Sequence, residues 1–207
     1  MTDPRPSWTH LLVRPLVPPL LKLQATPNQV TTARLITGLV SVALVAWGSP
    51  AGNIWAGAIW LLSALLDRLD GELARLGGLC SDWGKRYDYF VDTGLSAVFF
   101  LALGIGLRDS GFGAYAVALG AVACLGQLAA CWMAEEFDKR STPDDKVIPG
   151  LWGFDADDAL YLLGPLLWLP TVVRCGAVVL AALGTVGFLA FFTVRFLRLR
   201  GRLGGRL

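Results

Sequence analysis

Four aspartates stand in two pairs at helical spacing: Asp67 and Asp70 three residues apart, Asp88 and Asp92 four apart. On helices, each pair shares one face. Both pairs stand at the charged ends of long apolar stretches, and Asp92 falls roughly 15 Å along its helix. A bare carboxylate at that depth costs at least a few kcal/mol, so something must compensate it. Ordinary ion pairs with Arg68, Arg75, Lys85 and Arg86 are one answer. Divalent cations are the other. A short turn at Gly77-Gly78 joins the two helices, so they are expected to run antiparallel, side by side, with all four carboxylates converging. Unscreened, these would repel one another, and two divalent cations would balance four negative charges. Oxygen-only ligands favour a hard ion, Mg²⁺ or Mn²⁺. Paired metals of this kind clamp a transferring phosphoryl group. Gly71, Ala74 and Gly84 stand among the acids. Residues this small let a flat ring or a pyrophosphate approach the backbone, and they equally allow close helix packing in a membrane.

The elements that must position these acids are membrane spans. Of 207 residues, 55% are hydrophobic and only 16% charged, against roughly 25% charged in soluble domains. The apolar residues fall in blocks long enough to cross roughly 30 Å of hydrocarbon, which excludes a disordered chain. The expected fold is an all-α polytopic membrane protein with six transmembrane helices, near 28–49, 53–76, 82–107, 112–137, 156–172 and 174–196. Thr26-Pro27-Asn28 reads as the capped start of the first. Residues 1–27 read as an amphipathic helix in the membrane interface, residues 28–200 as the membrane domain, and residues 201–207 as a basic tail. Pro15, Pro18 and Pro19 interrupt the first apolar stretch, so no secretory signal peptide is expected. The eight tryptophans lie mostly near span ends, as in an interfacial belt. His10 is the sole histidine, and no cysteine pair has metal-ligand spacing. Both facts argue against a histidine base or a thiolate metal site.

Cations are distributed unevenly. Six spans put both termini on one side, together with Arg5, Arg14, Lys22, Arg75, Lys85, Arg86, Lys139, Arg140, Lys146 and the arginines from 198 onward; the other side keeps Arg108 and Arg174. By the positive-inside rule, both termini and the acidic site face the cytoplasm, and the chain sits in the cell (inner) membrane.

Residues 67–92 read Asp67-x-x-Asp70-Gly71-x-x-Ala74-Arg75, eight residues, then Gly84-x-x-x-Asp88-x-x-x-Asp92. This resembles the signature of the CDP-alcohol phosphotransferases at every fixed position, including the gap. The six-span layout, the amphipathic start and the stretch from Thr26 to Thr31 are similar to the family as well. The resemblance implies two divalent metals, Mg²⁺ or Mn²⁺, held by Asp67, Asp70, Asp88 and Asp92, with Asp92 as the base for the acceptor hydroxyl. It implies a nucleotide site at Asp67, Gly71, Ala74, Arg75, Gly84 and Asp88, with Arg75 near the phosphates or bracing the aspartates. It also implies a CDP-alcohol donor such as CDP-diacylglycerol, an alcohol acceptor, phospholipid biosynthesis, release of CMP and a homodimer in the bilayer. No nucleic-acid partner is expected.

The acceptor is not written in that pattern. A phosphorylated alcohol needs cations, for which Arg34, Lys139, Arg140 and Lys146 are candidates; Glu135, Glu136 and Asp138 would suit an amine instead. Asp155, Asp157 and Asp158 read as a helix start or as acceptor contacts. The alternative class is a membrane transporter or cation-binding protein that uses the intramembrane aspartates as an ion path.

Overall fold

The computed structural model describes residues 8–140 and 159–204, with side chains for 9–136, 161–191, 193 and 194. Every regular element among these is helical. The expected interfacial segment consists of α1 (Trp8–Val13), one 3-10 turn (Arg14–Leu16) and α2 (Val17–Lys22). Pro15 and Pro18 fall in first turns, where a missing N–H costs nothing. One face buries Val13 and Val17 against Val30, Leu69 and Leu73. The other exposes Leu11, Leu12 and Leu16, the apolar face that such a segment lays into a membrane surface.

The helices that carry the site follow. Helix α3 (Pro27–Trp47) opens with a capping box in which the Thr26 side chain and Gln29 satisfy each other's backbone N–H groups. Ser49 caps α4 (Pro50–Leu76) and Ser81 caps α5 (Asp82–Gly106). Helix α6 (Ala114–Arg140) returns along α5. These boundaries lie within a few residues of those expected.

The last two spans differ more. The fifth is seen as an eight-residue helix, α7 (Ala159–Leu166), with Pro165 near its end; residues 156–158 lie outside the described residues. Helix α8 begins at Thr171, where the carbonyl of Pro170 accepts from the N–H of Val173, and it runs 34 residues to Gly204. That is roughly 51 Å of helix, well beyond the hydrocarbon thickness. Among the described residues, four helices are long and apolar enough to cross a membrane: α3, α5, α6 and α8. Helix α4 has the length, but its uncharged run ends at Leu66.

The two aspartate helices were expected to pack side by side, and here the structure corrects the reading. Helix α3 packs along both α4 and α5, which barely meet through their backbones and touch through side chains such as Trp60 and Phe99, ring centroids 4.5 Å apart. The turn between α4 and α5, with Gly78 at φ 65°, sets the helices apart, and α3 fills the groove. Core residues Val42, Val45, Trp60, Leu95, Phe99 and Leu103 lie along these contacts.

Small residues set the helix crossings. A Cβ on Gly104 of α5 would meet the Ala116 carbonyl of α6 and the Gly120 backbone. Gly57 of α4 and Gly164 of α7 stand against each other's carbonyl oxygens. Without a hydrophobic drive between helices in lipid, such close contact supplies the packing. Trp47, Trp55, Trp83 and Trp132 stay exposed, as expected of an interfacial belt. Gly104→Leu is therefore predicted to cost about 1–3 kcal/mol by overpacking. Gly187→Leu, which meets nothing within 4 Å, is predicted to leave the melting temperature in detergent within about a degree of wild type on the same reasoning.

Candidate active site

Three helices build the acidic site. Asp67 and Asp70 project from α4, Asp88 and Asp92 from α5, and α3 lies between with Thr31 and Arg34 on one face. Carboxylate oxygens of Asp67, Asp70 and Asp88 come within 4.8 Å of one another. Asp92 joins them through a shared partner. The Arg34 guanidinium, only 3% exposed, lies 2.5 Å from Asp67 and 2.9 Å from Asp88 through one terminal nitrogen. Its other terminal nitrogen lies 2.7 Å from Asp92. Asp70, also 3% exposed, accepts a 2.7 Å hydrogen bond from the Thr31 hydroxyl.

The sequence reading did not foresee this use of α3. Arg34 pairs with three of the aspartates, whereas Arg75 turns to Glu72 at 2.8 Å. Arg34 was read as a cation for a phosphorylated acceptor, and it lies at the centre of the aspartate cluster. A signal was available: a basic residue two turns into an apolar span demands a buried counter-charge, and Thr31 lies three residues before it.

One guanidinium serves three of the four clustered carboxylates, so acids outnumber the cation that binds them. Buried charge of one sign is costly unless compensated. The donor set is all oxygen and converges on a small volume, so it suits the hard cations Mg²⁺ and Mn²⁺.

Asp70 and Asp88 form the inner wall of an open cleft of about 280 Å³, whose other walls include Gly71, Ala74, Arg75 and Gly84, with Asn28 and Thr31 from α3. That is near the low end for ligand sites, roughly 300–1,000 Å³. The cleft thus gathers Gly71, Ala74, Arg75, Gly84 and Asp88 from the expected nucleotide set, together with the expected metal ligand Asp70, while Asp67 lines a small neighbouring pocket with Arg34. The glycines differ in role. A Cβ on Gly84 would crowd the Ser81 hydroxyl and the Asn28 side chain, so helix packing already demands a small residue there. A Cβ on Gly71 would meet only the Arg75 guanidinium, at 3.8 Å. Packing therefore does not demand a glycine at Gly71, which lines the cleft.

Arg75 is braced from the N-terminal segment. Glu72 is buried, and its carboxylate holds Arg75, Arg14 at 3.0 Å and His10 at 3.1 Å. The N-terminal segment is thus tied by charge to the helix that bears Asp67 and Asp70. Lys139 and Arg140 end α6 with their side chains outside the described ones, and Lys146, Asp155, Asp157 and Asp158 lie outside the described residues. Glu72→Ala is predicted to release the N-terminal segment: limited proteolysis in detergent should cut before residue 27 several-fold faster, with α3 to α6 still protected.

The sequence profile of the CDP-alcohol phosphatidyltransferases matches residues 24–194. The chain is 36% identical over 98 residues to a phosphatidylinositol phosphate synthase of Cutibacterium acnes, covering 46% of this chain and 45% of that protein. It is 30% identical over 95 residues to a phosphatidylinositol phosphate synthase of Corynebacterium glutamicum, covering 45% and 42%. It is 35% identical over 94 residues to a bifunctional IPC transferase and DIPP synthase of Aquifex aeolicus, covering 45% and 21%. Each match spans less than half the length of the relative. The profile takes in the capped start of α3, all four aspartates, the cleft residues and the first two-thirds of α8, and the chain belongs to the CDP-alcohol phosphatidyltransferase family of membrane transferases.

Proposed function

We propose that this chain transfers a phosphatidyl group from CDP-diacylglycerol to the hydroxyl of an acceptor alcohol, releasing CMP, in phospholipid biosynthesis. One observation carries the reading: Asp67, Asp70 and Asp88 converge beside a cleft whose walls keep small residues where a nucleotide would enter. Family membership weighs for transfer over the transport alternative.

In this mechanism Asp67, Asp70, Asp88 and Asp92 hold two divalent cations. When bound, Mg²⁺ or Mn²⁺ supplies positive charge against the pyrophosphate and the leaving CMP. The chain's own side chains do the rest. Gly71, Ala74 and Gly84 admit the nucleotide to the backbone, and Arg75 presents a cation at the cleft wall, held in place by Glu72. Asp92, on the face of α5 that also bears Asp88, takes the acceptor proton. The acceptor oxygen bonds to the β-phosphorus as the bond to the CMP oxygen breaks. The cation-rich connections and termini support a cytoplasmic site. The family likeness supports a homodimer.

The test is CMP release by the purified full chain with CDP-diacylglycerol, Mg²⁺ or Mn²⁺, and alcohols added singly. Because two relatives bear the name phosphatidylinositol phosphate synthase, inositol phosphate leads that panel, ahead of inositol, glycerol phosphate and serine. Release should require one acceptor and fall by about 10²–10⁴ in Asp92→Asn, the usual worth of a general base. Release that persists in this variant removes Asp92 from the role.

A further inference from the structure

The four aspartates form two overlapping trios. Asp67, Asp70 and Asp88 bring carboxylate oxygens within 4.8 Å of one another. Asp67, Asp88 and Asp92 meet on the Arg34 guanidinium, at 2.5, 2.9 and 2.7 Å. The first trio encloses a space between oxygens, and the second already encloses a cation. Helix α3 is fixed at this level, since Ser63 of α4 donates to the Arg34 carbonyl at 3.0 Å. The side chain is almost wholly buried, so solvent does not compete for it.

We propose that Arg34 holds the place of the second divalent cation in the resting site, and so makes binding of that cation depend on the donor. The proposal rests on the metal reading of the aspartates given above. With Arg34 engaged, the first trio takes one divalent ion. A second ion among Asp67, Asp88 and Asp92 must displace the guanidinium, whose charge would otherwise be left buried and unpaired. The donor's pyrophosphate offers Arg34 another anionic partner, and a guanidinium pairs with phosphate as readily as with carboxylate. Donor entry therefore frees the second trio as it delivers the charge that a second ion must neutralise. The resting enzyme would be spared a doubly loaded site with no pyrophosphate to balance it.

The experiment is Mn²⁺ binding to the detergent-purified full chain, followed by the electron paramagnetic resonance signal of free Mn²⁺, with and without CDP. Wild type should take one tightly bound Mn²⁺ per chain alone and two with CDP. Arg34→Gln should take two without CDP, its second site tightening by about tenfold or more, equivalent to about 1.4 kcal/mol. Two equally tight ions in wild type without CDP would overturn the proposal, and this arm needs no variant to fold. A single ion in well-folded Arg34→Gln would overturn it as well. Arg34→Lys, whose point charge cannot fork across three carboxylates, should lie between the two. Failure of the underlying metal reading looks different: wild type would bind no Mn²⁺ tightly with or without CDP, or Asp70→Asn would leave the first ion unchanged.

Discussion

Everything in this structure answers one electrostatic constraint: four carboxylates stand together inside a bundle built to live in hydrocarbon. Asp70 is buried and Asp67 mostly so, while Asp88 and Asp92 stay partly exposed, and like charges this close repel. The fold answers with a third helix. Helix α3 brings Arg34 to Asp67, Asp88 and Asp92 and Thr31 to Asp70, so one helix face touches all four acids. The acids still outnumber that guanidinium, and the proposed divalent-ion site rests on this excess.

That arrangement demands a rigid frame, and the frame is made of small residues and caps. In lipid, helices gain little by burying Leu against Leu, so backbone contact at Gly104 with Gly120 and Gly57 with Gly164 holds the bundle. Thr26, Ser49 and Ser81 satisfy N–H groups at the starts of α3, α4 and α5, and Ser81 also lines the cleft. Ser81 caps α5 through the N–H of Gly84, a cleft glycine.

The interfacial segment extends the same logic outward. Glu72 sits one turn beyond Asp67 on α4 and collects Arg14, His10 and Arg75. This pairs a further buried acid close to the site, and Arg75 lines the cleft. A segment that could have been a mere anchor on the membrane surface is therefore bonded to the helix that carries half of the acids.

Much of this was legible in the amino-acid sequence, because it depends on local periodicity. The spacing of Asp67 with Asp70 and of Asp88 with Asp92 put each pair on one face, apolar block lengths set the membrane class, and Thr26-Pro27-Asn28 marked the start of α3. The pattern from Asp67 to Asp92 was specific enough to point to the family that the profile match shows. What local spacing could not decide was which partner each acid meets. Arg34 reaches Asp88 and Asp92 across 54 and 58 residues, and it does so because α3 fills the groove between α4 and α5, which were expected to lie directly together. Helix order in space is chosen by shape, at glycine contacts and side-chain seams far apart in the chain. Periodicity along one helix carries no record of which neighbour fills the groove beside it.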